Sequence, residues 1–176
     1  MKNITVYKQL PDPFLSLDFN IRGKNWYLKP HTHSFCQIIF VLKGTLYIKN
    51  NNYIKIISEG EMCAFSPNWE HSLLSPDGYS QMGLNICTKN KSNDIVKLID
   101  NNVKNFYKEN IALTLHKHIS NIETYLSDMS IISKLYFCAE VMTMLAECFE
   151  SKYFSTVLNP FKIELQKHLV YCIIVK

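Results

Sequence analysis

A chain of 176 residues, 47% hydrophobic and 19% charged with a formal net charge of +4, is sized for one domain, or one domain with a short appendage. That apolar content excludes a disordered chain, and the longest apolar runs, residues 38–42 and 169–175, fall far short of the ~20 residues of a membrane span. Arg22 is the only arginine and the lysines are scattered, which argues against direct nucleic-acid binding, where a clustered basic face is the rule. No apolar stretch follows Met1-Lys2 as a secretion signal would. The expectation is therefore a cytoplasmic protein with no membrane partner and six widely spaced, reduced cysteines.

The first half of the chain reads as β. Residues 14–22 alternate, with Leu15, Leu17, Phe19 and Ile21 on one face and Ser16, Asp18, Asn20 and Arg22 on the other, the pattern of a half-buried strand. Further strands are expected at 25–29, 34–43, 45–49, 53–57, 62–66, 71–74 and 79–87. They are divided by turn residues at Lys43-Gly44, Asn50-Asn51-Asn52, Glu59-Gly60, Pro67-Asn68 and Pro76-Asp77-Gly78. Short strands at close spacing predict an antiparallel sandwich or barrel.

Near residue 90 the period changes. Ser92 or Asn93 is the expected cap of a helix carrying Ile95, Leu98, Ile99, Val103 and Phe106. Ile111, Leu113 and Leu115 alternate as one returning strand would, and Ile119, Ile122, Tyr125 and Leu126 resume a helical stripe. The strongest helix is expected over 130–153, where Ile132, Leu135, Tyr136, Ala139, Met142, Ala146 and Phe149 recur at three- and four-residue steps. A last helix follows Pro160. The 130–153 stripe is wider than one contact needs, and a symmetric dimer is one way to bury the surplus.

The residues that suggest chemistry are histidines. His31, His33 and Gln37 share odd numbering, which on one regular strand sends them to the face of Phe35, Ile39 and Val41. His71 follows two hairpins downstream. Three imidazoles and a side-chain oxygen suit an open site for a divalent metal, or a polar pocket whose groups hydrogen-bond a ligand. Trp26, Phe35, Phe65 and Trp69 lie near these strands and would line such a pocket. His116 and His118 lack a partner motif and are expected at the solvent or a helix end.

Gly23, His31-x-His33, Gln37 and Gly44, then Gly60, Pro67 and His71, resemble the two motifs of the cupin superfamily. Spacing holds from His31 to Gly44. Gly23 lies further upstream than the family pattern, Gln37 stands where glutamate is usual, Asn68 replaces the glycine after the proline, and no asparagine follows His71. The likeness covers about residues 20–88. With its helices the whole chain resembles the N-terminal sensory and dimerisation half of AraC/XylS-type transcription regulators.

That resemblance implies a mainly β fold: an antiparallel double-stranded β-helix (cupin or jelly-roll barrel) followed by an α-helical C-terminal segment. It divides the chain into an arm (1–13), the barrel (14–90), a helical dimerisation segment (91–158), and a linker with the start of an absent DNA-binding domain (159–176). The implied function is non-catalytic. A small effector binds in the barrel through His31, His33, Gln37, His71, Trp26, Phe35, Phe65 and Trp69, and the signal passes to the geometry of a homodimer. Leu135, Tyr136, Met142 and Phe149 are the expected dimer contacts, and DNA would be reached only through the absent domain.

A metal, if bound, would use His31, His33, Gln37 and His71. Because neutral Gln37 leaves a divalent ion's charge uncompensated, the residues favour the hydrogen-bonding pocket. The rival function is a small metal-dependent cupin enzyme of the dioxygenase or isomerase type.

Overall fold

The structure is a computed structural model that describes residues 4–7, 10–51, 53–128 and 130–150. In chain order its elements are β1 (Ile4–Tyr7), β2 (Phe14–Arg22), β3 (Trp26–His31), β4 (Cys36–Asn50), β5 (Tyr53–Ser58), β6 (Glu61–Phe65), β7 (His71–Ser75), β8 (Tyr79–Ile86), α1 (Asp94–Asn102), β9 (Phe106–Asn110), α2 (Ala112–Ser127) and α3 (Ile131–Glu150). The expected helix after Pro160 and the whole of 159–176 lie outside the described residues. Within the 1–13 arm, β1 pairs with β2.

Every strand pairing is antiparallel. One sheet, here sheet A, has the order β1-β2-β8-β4-β6-β9. Sheet B has the order β3-β7-β4-β5. Strand β4 belongs to both: residues 36–44 pair with β8, and residues 45–50 pair with β5.

The change of sheet falls at Gly44. Its φ is +80°, and a Cβ there would lie 2.7 Å from the Gly78 carbonyl oxygen, so the bend admits only glycine without strain. Lys43-Gly44 therefore does not reverse the chain. The expected strands 34–43 and 45–49 are one strand with a bend, because glycine supplies either outcome and the pairing partners decide which.

Alternation along β4 feeds two apolar compartments. Ile38 and Phe40 face outward from sheet A with Leu17, Met82 and Leu84, and are covered by Ile99, Leu115, Ile122, Phe137, Val141 and Leu145 of the helices. Ile39 and Val41 face inward and pack with Phe65, Leu46, Ile48, Ile57 and Leu73 between the two sheets. Burial on both faces explains why 38–42 reads as an unbroken apolar run.

The helical half differs from expectation in three places. Asn93 caps α1, its Oδ1 accepting from the backbone N–H of Ile95 (3.0 Å) and of Val96 (3.4 Å). That helix stops at Asn102, short of Phe106, which instead opens β9 beside β6. The expected strand through Ile111, Leu113 and Leu115 is the start of α2. Ile111 and Leu115, four apart, are buried while Leu113 is 88% exposed, which is helical spacing and not alternation.

His118 corrects the third expectation. It is buried between α2 and α3, with Nδ1 2.7 Å from Glu140 Oε1 and Nε2 3.2 Å from Glu147 Oε2. The ring thus bridges two carboxylates of α3 from α2. Asn121 also donates to Glu140, and Lys117 to Glu147. His118→Ala removes two charge-assisted bonds from the α2–α3 seam and is expected to lower the unfolding free energy by about 2 kcal/mol in urea titrations. A change below a few tenths would show that the seam is held by its apolar contacts alone.

No helix among the described residues is long and apolar enough to cross a membrane.

Candidate functional site

The histidines come together, but not by the pleat of one strand. His31 ends β3, His33 lies in the following loop, Gln37 is in β4, and His71 opens β7 directly opposite His31. Their shared parity is thus incidental, since the loop between β3 and β4 breaks the period. The side-chain ligand atoms of His31, His33 and His71 all lie within 4.8 Å of one another.

Each ring is oriented by the backbone. Nδ1 of His31 lies 2.9 Å from the Lys29 carbonyl, that of His33 2.7 Å from Phe35, and that of His71 2.9 Å from Trp69. A carbonyl can only accept, so Nδ1 carries the proton on all three rings, and Nε2 of a neutral ring keeps its lone pair. Burial lowers the His71 pKa to about 4, overriding the Trp69 carbonyl bond that favours the charged ring, and the other two histidines push the same way. Burial lowers His33 as well. Both rings are therefore neutral at pH 7, and their Nε2 atoms are buried and make no hydrogen bond among the described residues.

An aromatic wall holds the rings. Phe35 stacks on His33 at 4.3 Å between centroids. Phe65 stacks on His71 at 4.3 Å, Trp69 stacks on Phe65 at 5.5 Å, and Phe106 leans on both Phe65 and Trp69. Trp26 does not join them. It lies against Tyr79 and under the Arg22 guanidinium, 4.8 Å from the ring centroid.

The sequence reading missed a further set of polar residues. Residues directly opposite in an antiparallel pair project to the same side. The register therefore lays Ser16–Asn85–Gln37, Asp18–Gly83–Ile39, Asn20–Gln81–Val41 and Arg22–Tyr79 in successive rows facing sheet B. Gln37 Nε2 donates to Asn85 Oδ1 (3.3 Å) and Asn85 Nδ2 to Ser16 Oγ (2.9 Å). Further along, Tyr79 donates to Gln81 (2.6 Å), Gln81 to Asp18 (3.2 Å), and Asn20 to Asp18.

Asp18 and Asn20 are buried where solvent was expected, while on the opposite face Leu17 is buried as expected and Leu15 and Ile21 are about half exposed. Burial raises the Asp18 carboxyl, against the pull of Gln81 and Arg22. Polar alternation was the only signal, and it is the same for a wet surface and for a polar chamber.

Some polar groups of this chamber have no partner. Among the described residues, Gln37 Oε1 and Asn20 Oδ1 join the two Nε2 atoms as buried acceptors without a donor, and Arg22 Nε is a buried donor without an acceptor. Unpaired buried polar atoms are costly, so such a concentration marks a place for a ligand. The three imidazoles also fit a metal in chemistry and convergence, with Gln37 Oε1 as an oxygen donor and no carboxylate among these four residues.

The three buried cysteines, Cys36, Cys63 and Cys148, offer no rival. Burial pushes the thiols of Cys36 and Cys148 up to about 12 and raises Cys63 too, leaving them protonated and unreactive at neutral pH.

Of the expected dimer contacts, Leu135, Tyr136 and Met142 are exposed on α3. Phe149 is not: it is buried against Tyr107 of β9, because the last turns of α3 pack on sheet A.

Residues 20–88 match the family described as AraC-like ligand binding domain. No curated protein matches the chain. Similar solved structures include a conserved protein of unknown function from Streptococcus pyogenes (12% identity, 48% of this chain, 74% of that chain, TM-score 0.42). Another is a cupin superfamily protein from Desulfitobacterium hafniense (6% identity, 48% and 77%, TM-score 0.42). A third is an oxalate decarboxylase from Bacillus subtilis (15% identity, 43% and 22%, TM-score 0.38).

Proposed function

We propose, from the AraC-like ligand binding domain that residues 20–88 match, that this chain is a non-catalytic sensing module holding a small polar effector between its two sheets. The observation that carries the reading is the set of unpartnered buried atoms. Among the described residues, four of them, on His33, His71, Gln37 and Asn20, accept hydrogen bonds, and one, Arg22 Nε, donates. A complementary effector is rich in O–H or N–H groups and poor in bare carboxylates. The aromatic wall of Phe35, Phe65 and Trp69 supplies the apolar contact that such sites combine with a few fixed polar groups.

In this reading the sheets form a cupin-type double-stranded β-helix, and the module works by population shift. An effector that binds one conformation better than another moves the equilibrium by that difference. The output surface is the exposed strip of α3, where Ile132, Leu135, Tyr136 and Met142 would meet a second copy. Residues 159–176 would lead into a DNA-binding domain, making the whole a transcription regulator.

One observation favours a second reading, a metal-dependent cupin enzyme. Three imidazole nitrogens converge as metal ligands do. A divalent metal would be held by His31, His33 and His71 with Gln37, and would supply Lewis-acid activation of a bound ligand. Here the chain's own part is to fix the rings through the Lys29, Phe35 and Trp69 carbonyls.

Calorimetry against a panel of sugars and small dicarboxylates, with sedimentation of the free and bound protein, tests the first reading. The expected result is binding of a polyhydroxylated compound, lost in His33→Ala, with a change in association. A monomer that binds nothing would sink it. Elemental analysis of protein purified without chelator decides between the readings, since stoichiometric metal lost in His33→Ala would establish the second.

A further inference from the structure

A second concavity lies on the opposite face of sheet A from the histidines. Two adjoining cavities, of about 400 Å³ and about 460 Å³, share Leu42 and Glu123 and so make one groove between the sheet and α2. Tyr7, Phe19 and Leu42 line it from the sheet. From α2 come Ala112, Leu115, Ile119 and Glu123, which recur at three- and four-residue steps and so share one side of the helix. At 1.5 Å per residue that side runs about 16 Å.

Glu59, Glu123 and His116 line this groove, and among the described residues no lysine or arginine does. Glu59 takes one long bond from the Gly44 amide (3.4 Å), and Glu123 makes no hydrogen bond or ion pair among the described residues. A concavity of several hundred Å³ lined by apolar side chains and by the polar Thr5, Asn20, Ser80, Gln81 and His116 has the mixed character of a small-molecule site, and the two carboxylates favour a cation in it.

We propose that this groove binds an amphipathic organic cation: an alkyl chain seated on Phe19, Leu42, Leu115 and Ile119, with a protonated amine at Glu123. Sheet A lies between this groove and the histidines of the effector chamber, while Asn20 and Gln81 belong to the linings of both.

The test is calorimetry of the full chain with octylammonium, octanoate and octanol, all below their aggregation limits. Octylammonium is expected to bind, with octanoate at least tenfold weaker because its carboxylate faces two others. Glu123→Gln, an exposed change that leaves the fold intact, is expected to weaken octylammonium at least fivefold, to the level of octanol. Leu42→Trp fills the channel and is expected to abolish binding, with thermal melts confirming that the variant is folded. His33→Ala should leave octylammonium unaffected. Equal affinity for octanoate, indifference to Glu123→Gln, or loss in His33→Ala would each overturn the proposal.

Discussion

Taking the metal-free protein from pH 7 to pH 4 is expected to lower its unfolding free energy by about 3 kcal/mol through His71 alone. The His71 pKa falls from 6.5 to about 4 on folding, a difference of roughly two and a half units at 1.36 kcal/mol each. Between those values the unfolded chain binds a proton that the native chain refuses. The stability is therefore complete above pH 6.5, is lost as pH falls toward 4, and changes no further from this group below that.

His33 is lowered by the same burial and acts in the same direction. Asp18 opposes them, because its raised carboxyl holds a proton in the native state where the unfolded one has released it. Urea titrations at half-unit pH intervals check the prediction, and His71→Leu should flatten most of the slope. A curve that is level between pH 6.5 and 4 in the parent protein would mean that the ring is hydrated and the chamber open. A ligand that needs the neutral Nε2 of His71 keeps its affinity over that range and loses it only as pH falls through about 4, where the folded ring takes up its proton.

Phe65→Ala is expected to cost about 3–5 kcal/mol and also to abolish effector binding. The ring is fully buried, packs in the core between the sheets and stacks on His71 and Trp69, so its loss opens a cavity where the histidines are braced. Phe40→Ala is the matched control. It is equally buried, and its expected loss of stability is similar, but it faces the helices from the other side of sheet A and should leave calorimetric affinity unchanged. If both variants lost binding together, the two compartments would not be separable. If Phe65→Ala kept it, the aromatic wall would be packing only.

Much of the fold was legible because its local rules are strong. The change from period two to period 3.6 near residue 90 separates the strands from the helices, and Asn93 caps α1 as a side-chain acceptor before an apolar stripe should. What local rules could not reach were choices made by distant partners. Gly44 suits a reversal or a bend, and only its closeness to Gly78 shows the bend. Phe106 fits the end of a helical stripe, yet pairs with Phe65 in β9 because an edge of sheet A was free to receive it. His118 seemed to have no motif because its partners, Glu140 and Glu147, lie on another helix.

The site was legible in the same partial way. His31, His33, Gln37 and His71 stand out by residue type and spacing, and those facts are carried by the sequence itself. So are the apolar alternation of β4 and the periodicity of α3. Tertiary structure decided which nitrogen each histidine leaves open, since backbone carbonyls of Lys29, Phe35 and Trp69 take up Nδ1, and the Nε2 atoms of His33 and His71 are buried. It also decided that Asp18 and Asn20 line a chamber and not a surface. A strand's own residues set which side chains share a face, whereas what that face meets, water or a second sheet, depends on contacts far along the chain.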